Sequence, residues 1–537
     1  MDGLSPTPGA SVDIYDVVII GSGHNALVTA AYLARAGRSV LVLERNDRPG
    51  GLVRTEEMTL PGFRHDMYSA AHPLFLAGPV YADLGPLLTA RGLTYVNTDV
   101  PTGVSFPDGR TAVLHRSMDS MVDEADRLAP GDGAAFADLM AAFAPYAADV
   151  FGLFHQDLTG PAASATVRRL MVAETGGLTP LAGLLFDSAR SVVSRFRSPE
   201  LRAMLAPWVM HMGRTPDGAD SGLWVILMAQ ALMLAGMPIP VGGSQALTDA
   251  LARLITDDGG RIETDTEVTR IVVADGRAVA VQTAQGERYG ARHAVVASTN
   301  PDQLYLRLLA EEDVPAVLRA EAARYRYGRG CVQIQFALSE PPRWPDRRFD
   351  GIGQPHLTSG LDATTVAIAQ AAAGLLPTDP TFTVDCPTSL DPTRAPGGRA
   401  ILRAQLLEIP HRPTGDAAGV IDVRDGTWTK DLTEQVVDRT LDIIGRHVPG
   451  LPDTVLGYAA VTPDDLARYN PNCGPGDPYG GAHDLAQSYH LRPLPSHPGH
   501  RSPIARLHLV GAATWPGHGV SGGSGYIVAK ALLADYN

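Results

Sequence analysis

The pattern of apolar and polar positions changes its period twice near the start of the chain. Val17–Ile20 is a short uncharged run rich in β-branched residues, which is typical of a strand buried on both faces. Asn25–Ala36 then carries apolar residues at helical spacing, and Val40–Leu43 is a second apolar run that ends at Glu44. The pattern therefore predicts a strand, a helix and a second strand in close succession.

A glycine-rich turn, GSGHNA, joins the first predicted strand to the helix. Gly21 permits a tight turn, Gly23 lets the backbone approach a pyrophosphate, and Ala26 takes the place of the third glycine, where the helix packs on the strand. The first amides of the helix point at the phosphates. We therefore predict that this turn holds the ADP half of a dinucleotide, with Ser22 and Asn25 among the contacts.

An acid and a glycine doublet strengthen this prediction. Glu44 follows the turn by about 20 residues, where a carboxylate binds the ribose hydroxyls. Its negative charge would repel a 2′-phosphate, which disfavours NADP. The doublet Gly50-Gly51 follows within the sequence RPGGLVRT. A Rossmann-like unit that binds nothing is the alternative, and the turn, the acid and the doublet together count against it.

The rest of the chain divides into stretches of different character. Leu76–Asp217 is mostly helical in its pattern, whereas Pro240–Pro301 predicts an amphipathic helix, a β-hairpin and a buried strand. Arg324–Pro498 is mixed and rich in Pro and Gly. Arg506–Asn537 predicts a strand, a glycine-rich turn and a closing helix that starts near Val520–Ser521.

One apolar run, Leu223–Val241, approaches the length of a transmembrane segment. Gly236, Pro238 and Pro240 end any helix early and leave about 14 residues, which is too few to span a bilayer. We interpret the run as a buried helix that lines an apolar substrate cavity. A surface that dips into a membrane is the alternative.

Composition narrows the function classes. A chain of 537 residues is long enough for two domains. The formal net charge of -14 makes nucleic acid a poor partner. The three cysteines are far apart and form no CxxC, which argues against a redox disulfide or a metal site and fits a reducing cytoplasm. The polar start MDGLSPTPGASVD predicts a short disordered leader rather than a signal peptide.

Several motifs together resemble the phytoene desaturase-related FAD oxidoreductases of the amine oxidase superfamily. They are GSGHNALVTAAYLARAGRSVLVLERNDRPGG, PGFRHDMYSAAHPLF, PVGGSQALTDAL, PTSLDPTRAPGG and GAATWPGHGVSGGSGY. The chain most resembles the branch called pyridine nucleotide-disulfide oxidoreductase domain-containing protein 2. The resemblance implies an α/β fold, with a Rossmann-type, glutathione-reductase-like FAD-binding domain and an inserted α+β substrate domain. It also implies non-covalent FAD, an apolar small-molecule substrate, and hydride transfer between that substrate and flavin N5.

The FAD-binding domain is expected to consist of three separated segments, 14–90, 240–310 and 500–537, with the substrate domain at 91–239 and 311–499. Superfamily members often have an acid after the first glycine of the terminal motif, where this chain has Ala512; backbone contacts should still place the flavin. Besides the residues of the first turn and Glu44, the predicted FAD contacts are Arg45, Gly50, Gly51, Leu52, Val53, Arg54, Val268, Gly511, Ala512, Gly519, Val520 and Ser521.

Candidates for chemistry come from two segments expected near the flavin. His65 and His72 follow the doublet, and Trp515 and His518 belong to the terminal motif; a histidine there could accept the proton that leaves with hydride transfer. A purely structural role for each histidine is the alternative. Further candidates for proton transfer, loop anchoring or substrate contact are Asp66, Tyr68, His211, Tyr489 and Arg492.

Three functions stay open. The first is a desaturase, dehydrogenase, isomerase or redox cyclase of a large apolar or polyene-like substrate. The second is a flavin oxidase of an amine or other polar substrate. Many flavin amine oxidases use a lysine near N5, and neither Lys430 nor Lys530, the only lysines, is expected there. The third is a non-catalytic escort protein. The oligomeric state is left open, and an apolar substrate leaves peripheral membrane contact open.

Overall fold

Two seven-stranded sheets organise residues 13–536, which this computed structural model describes. The predicted leader falls on residues 1–12, outside the described part. The first sheet contains, in spatial order, Val268–Ala274, Arg277–Thr283, Arg288–Ala297, Asp13–Ile20, Val40–Leu43 and Arg261–Glu263, with Leu507–Leu509 also paired to Arg288–Ala297. The second sheet contains, in spatial order, Val455–Val461, Gly330–Leu338, Ala400–Ile409, Phe382–Asp385, His356–Leu357, Thr102–Ser105 and Thr111–Leu114.

The centre of the first sheet is parallel and buried. Asp13–Ile20 pairs in parallel with Val40–Leu43 on one side and with Arg288–Ala297 on the other. The apolar run Val17–Ile20 is buried throughout, as its uncharged β-branched sequence predicts. Helix His24–Arg35 connects the first two strands, so that the predicted strand, glycine turn, helix and strand are all observed.

Helices pack against both sheets, and most of them come from the parts of the chain between the strands. The α-helices are His24–Arg35, Pro73–Leu76, Pro79–Thr89, Met118–Leu128, Asp132–Leu153, Pro161–Met171, Pro180–Phe186, Ala189–Val193, Pro199–Leu205, Ser221–Ala235, Gln245–Asp257, Pro301–Gln303, Ala316–Ala322, Leu361–Ala372, Lys430–His447, Pro463–Tyr469 and Gly523–Asp535. Short two-stranded pairs join Thr55–Glu56 to His65–Asp66, Tyr95–Val96 to Ile239–Pro240, Leu375–Leu376 to Gly415–Asp416, and Pro493–Leu494 to His497–Pro498.

The origin of the strands separates the two sheets along the chain. Strands of the first sheet come from 13–43, 261–297 and 507–509, and those of the second sheet come from 102–114 and 330–461. Apart from Asp13, the first set falls within the three segments predicted to bind FAD, and the second falls within the two stretches between them. The domain boundaries themselves stay a prediction.

Two apolar helices bear on membrane contact. The predicted buried helix is observed as Ser221–Ala235, and most of its residues are buried. By length and composition alone, a second helix, Asp132–Leu153, is apolar enough to cross a bilayer; 28% of its most apolar window is buried. A core helix of a soluble protein passes the same test, so peripheral membrane contact stays a prediction.

Candidate functional site

A cavity of about 610 Å³ is lined by residues of both sheets. At one end its wall contains the turn 21–25 and Glu44, which follow strands of the first sheet. At the other end the wall contains Gln333 and Gln405 of the second sheet, together with Trp208 and Met237. We call these the nucleotide end and the substrate end.

Glycines, which have no side chain, allow three stretches of backbone to lie close together at the nucleotide end. Gly21 (φ +83°) and Gly51 (φ +58°) have conformations that residues with a side chain rarely adopt. A Cβ atom on Gly51 would lie 3.2 Å from the Cα atom of Gly23, and one on Gly50 would lie 2.6 Å from the carbonyl oxygen of Val53. The doublet therefore lets the chain lie directly against the glycine turn, a packing role that its sequence alone did not reveal.

The Glu44 carboxylate is fixed at the same end. It accepts hydrogen bonds from the Ser22 amide (2.9 Å), the Ser22 hydroxyl (2.5 Å) and the Asn46 amide (2.9 Å). Glu44 is only 5% exposed. Because three donors hold it, the carboxylate keeps one orientation beside the turn, where its charge would repel a further phosphate.

The terminal helix meets the first helix beside the cavity. It begins at Gly523, later than the predicted Val520–Ser521, because Gly522 (φ +72°) still belongs to the preceding turn. A Cβ atom on Gly525 would collide with the carbonyl oxygen of Asn25, and the Gly525 amide donates to Asn25 Oδ1 at 3.2 Å. The amino ends of the two helices are therefore packed together at the nucleotide end.

Most of the residues predicted to contact FAD line this cavity. Those in its wall are Gly21, Ser22, Gly23, Asn25, Glu44, Arg45, Gly51, Leu52, Val53, Val268, Gly511, Ala512, Gly519 and Val520. Ala26, Gly50, Arg54 and Ser521 stand behind it. Arg54 Nη1 forms an ion pair with Asp47 at 2.9 Å, and Ala26 is fully buried in the first helix. The structure thus brings the set together, and the individual FAD contacts stay predictions.

His518, one of the four residues predicted for catalysis, lines the cavity. Burial and the neighbouring His24 lower the pKa of His518 to about 4. Its ring meets that of Tyr479 edge-on, with 5.0 Å between the ring centroids. His518 is therefore a neutral imidazole at neutral pH. His24, which also lines the cavity, was not a sequence candidate although it follows the glycine turn directly.

His65, His72 and Trp515 lie outside the cavity wall formed by the described residues. His72 Nδ1 lies 3.0 Å from the Tyr95 hydroxyl, and Trp515 Nε1 donates to the carbonyl oxygen of Leu153 at 2.7 Å. All three side chains are buried within the fold. The contacts of His72 and Trp515 stabilise the fold. A catalytic role for each of the three residues stays an untested prediction.

Arg492 lies behind the cavity wall rather than in it. Its guanidinium donates five hydrogen bonds of 2.9–3.2 Å, all to backbone carbonyl oxygens. The acceptors are Gly480, Ala482, Gln487, Ala512 and Ala513. Since Gly480 and Ala512 both line the cavity, Arg492 joins two parts of its wall. Tyr489, the neighbouring sequence candidate, accepts a hydrogen bond from Trp224 Nε1 at 2.8 Å.

His211, another of the sequence candidates, lines the substrate end, and its role stays a prediction. Its ring stacks on that of Trp208 with 4.6 Å between centroids, and its Nε2 atom lies 3.2 Å from Nε2 of His356. Burial, with the nearby His356, keeps the pKa of His211 well below its usual range. Like His518, it is a neutral group facing the cavity.

Sequence reasoning missed the polar residues of the second sheet. Gln333, Arg403 and Gln405 of its strands line the substrate end, together with Gln354, which precedes the strand His356–Leu357. The signal that could have found them is the alternation of polar and apolar residues in CVQIQFAL and ILRAQLLEI. Such alternation is ordinarily interpreted as a strand whose polar face lies in water. Here the polar face borders the cavity instead.

Comparison with known proteins identifies the family to which the chain belongs. The profile of flavin containing amine oxidoreductases matches residues 27–533. The chain belongs to this family. It is 28% identical to a component of the limonene dehydrogenase of Castellaniella defragrans, over 97% of this chain and 94% of the relative. It is 29% identical to pyridine nucleotide-disulfide oxidoreductase domain-containing protein 2 of Rattus norvegicus, over 97% and 94%.

Further similarities support the fold. Phytoene desaturase (neurosporene-forming) of Rhodobacter capsulatus is 28% identical over 96% of this chain and 93% of its own. Among solved structures, cyclohexylamine oxidase from Brevibacterium oxydans has a TM-score of 0.58 at 17% identity, over 97% of this chain and 99% of that one. The predicted resemblance and the α/β FAD-binding fold are confirmed.

The protein is an FAD-dependent oxidoreductase, as predicted. The nucleotide end fits this cofactor on three grounds. The turn and doublet present backbone without Cβ atoms, the first helix directs its amino end at the cavity, and Glu44 supplies a fixed carboxylate. The cavity extends past this end to residues of the second sheet.

Proposed function

We propose that this oxidoreductase removes hydrogen across a carbon–carbon bond of a largely apolar, terpenoid-like molecule. The observation that carries the proposal is one cavity with two ends, a nucleotide end that fits FAD and a substrate end that contains Trp208, Met228, Met237 and Leu407. The relatives named limonene dehydrogenase, phytoene desaturase and hydroxyneurosporene desaturase support the same chemistry.

In this proposal bound FAD would supply the acceptor for the hydride that leaves the substrate. Gly21, Gly23 and Glu44 hold the nucleotide so that the cavity beyond it aligns the substrate. Loss of hydride leaves a positively charged carbon, and a hydrogen on the adjacent carbon becomes strongly acidic. A weak base is sufficient to accept that proton, so a buried neutral imidazole is suitable. His518 and His211 are the two such groups that we assign to this role.

The test is anaerobic reduction of the bound flavin. Purified protein is mixed with limonene, phytoene or cyclohexylamine, and the oxidised flavin absorption is followed. Bleaching by a terpenoid hydrocarbon or its oxygenated derivative, and slower or no bleaching by the amine, is expected. The variant Glu434→Gln, whose side chain is 44% exposed, is the control for handling and should bleach at the wild-type rate. Bleaching by the amine alone, or a protein that takes up no FAD, contradicts the proposal.

Amine oxidation is the second candidate, because solved structures of the fold include amine oxidases. The lysines count against it. The side chain of Lys430 is 90% exposed on helix Lys430–His447. Lys530 is exposed on the terminal helix, with its ammonium 5.3 Å from the centroid of the Tyr32 ring. Neither lysine belongs to the cavity wall.

A further inference from the structure

The central strands of the second sheet, Gly330–Leu338 and Ala400–Ile409, bury both of their faces. In Gly330–Leu338 every residue is buried. Val332, Ile334 and Phe336 point into the hydrophobic core of the second sheet, so Gln333 lies on the opposite face, which borders the cavity. A central strand therefore directs the amide of Gln333 at the cavity.

The neighbouring strand, Ala400–Ile409, repeats this arrangement in register. Gln333 pairs with Gln405, and Gln335 pairs with Arg403. We call Gln333, Gln335, Arg403 and Gln405 the polar face. Since side chains of directly opposed residues lie close together, the polar face is one contiguous patch rather than four isolated groups.

Two members of the polar face, Gln335 and Arg403, donate hydrogen bonds to other residues of the protein. Gln335 Nε2 donates to the carbonyl oxygen of Asp66 at 2.8 Å. Arg403 donates through Nε to Asp385 at 2.8 Å and through Nη1 to the carbonyl oxygen of Tyr68 at 2.5 Å. These bonds fix the patch in place, and they leave the polar face with little freedom to reorganise.

The other two members keep unused hydrogen-bonding capacity. Gln333 is 3% exposed and its Oε1 atom has no hydrogen-bond partner among the described residues, while its Nε2 makes one long bond of 3.3 Å to Tyr68. Gln405 Oε1 accepts from Gln354 Nε2 at a distance of 3.5 Å, the limit of a hydrogen bond. A substrate that displaces water from these amides must replace the lost hydrogen bonds or leave them unpaired.

The charge of the polar face indicates which kind of substrate group can replace these hydrogen bonds. Arg403 is paired with Asp385, with 2.6 Å between Nη2 and Oδ2, so that the pair carries no net charge. His211, at the same end of the cavity, is held neutral by burial, which lowers its pKa. The polar face therefore offers amide dipoles rather than an unbalanced charge, and it suits an uncharged oxygen better than a carboxylate or an ammonium.

We propose that the substrate is an apolar molecule with one uncharged hydroxyl, carbonyl or amide group, which Gln333 and Gln405 bind. This inference rests on the proposed function and makes its substrate class narrower. A site built to hydrogen-bond such a group discriminates strongly against the analogue that lacks it. A pure hydrocarbon of the same skeleton should bind about 10- to 100-fold more weakly, as one unpaired buried polar group implies.

The test compares two probes of one carbon skeleton, limonene and its tertiary alcohol α-terpineol, whose carbinol carbon has no hydrogen to lose. Binding is measured from the perturbation of the flavin absorption of the holoenzyme under air-free conditions, and does not depend on turnover. The alcohol should bind more tightly, and Gln333→Leu and Gln405→Leu should bring the ratio of the two dissociation constants close to one. Gln435→Leu, at a partly exposed position of helix Lys430–His447 that lies outside the cavity wall, is the matched control.

A second measurement needs no ligand. Because Gln333 Oε1 is unpaired, Gln333→Leu should raise the melting temperature of the holoenzyme, as expected where a residue serves binding at the expense of stability. A lower melting temperature would show that the amide serves the fold. Equal or weaker binding of the alcohol by the wild type, or a preference that survives both substitutions, would overturn the inference. Absence of flavin bleaching with tight alcohol binding would contradict the proposed function alone.

Discussion

Replacing Arg492 with lysine should weaken both the fold and the binding of FAD. The guanidinium donates five hydrogen bonds to buried carbonyl oxygens, whereas an ammonium has three protons to donate. At least two of these hydrogen bonds are therefore lost, although the carbonyl oxygens of Gly480 and Ala482 also accept from Tyr325 and Gln487. At about 1.5–3 kcal/mol for each hydrogen bond to a charged group, the free energy of unfolding should fall by about 3–6 kcal/mol.

Two of the acceptor carbonyl groups belong to residues of the cavity wall, so the substitution should also affect the binding of FAD. Gly480 and Ala512 line the cavity and touch each other, since a Cβ atom on Gly480 would lie 2.8 Å from the Cβ atom of Ala512. Without Arg492 to join them, this part of the wall should loosen, and the dissociation constant of FAD should rise with the loss of stability.

The assay is urea unfolding of the purified holoenzyme, together with FAD titration of the apoprotein. The charge is unchanged in Arg492→Lys, so a loss reports hydrogen-bond geometry. Arg343→Lys is the matched control; its side chain is 79% exposed and pairs with Glu340, and it should change the free energy of unfolding by less than about 0.5 kcal/mol. If Arg492→Lys unfolds like this control and retains wild-type FAD affinity, the reasoning is refuted.

Three further predictions follow from the cavity. The pKa of folded His518 is about 4, below its unfolded value, so the unfolded state takes up the proton first and stability is lost as pH falls below about 6.5; His518→Gln should reduce the loss between pH 7.5 and 5.5 by about 1.4 kcal/mol in urea titrations. Glu44→Gln should weaken FAD binding about tenfold in fluorescence titrations, because the ribose loses a charged acceptor, and an unchanged affinity would remove Glu44 from the site. The double variant Lys430→Met, Lys530→Met should bleach with a terpenoid at the wild-type rate; a rate that falls about a hundredfold would restore an amine-oxidase-like role for lysine.

The nucleotide half of the site could be predicted because its constraints are local in sequence. A glycine at positive φ, a short buried strand and an acid at the end of the next strand each leave a mark within a few tens of residues. The turn around Gly21, the strand Val40–Leu43 and the acid Glu44 are found where these marks predicted them. The packing of Gly51 against Gly23 was not visible, because it depends on a contact across the fold.

The substrate half could not be predicted to the same depth, for a physical reason. Whether an alternating strand turns its polar side to water or to a cavity depends on what covers it, and Gln333 and Gln405 are covered by stretches far away in sequence. The histidines show the same limit. His72 and His518 have equally suggestive sequence contexts, yet one bonds Tyr95 within the fold and the other lines the cavity.

The distribution of charge around the cavity connects the proposed reaction with the proposed substrate. Among the described residues, the carboxylates that line the cavity are Glu44 and Glu267, both next to the nucleotide-binding strands, whereas Asp385 near the substrate end is neutralised by Arg403. An ammonium substrate would therefore leave water without gaining a counter-charge, which is costly. Positive charge that develops only as hydride leaves carbon can instead be stabilised by fixed dipoles, because they need no reorganisation at that moment. The amide oxygens of the second sheet supply such dipoles, so the features that disfavour an amine are the ones that favour dehydrogenation of an uncharged molecule.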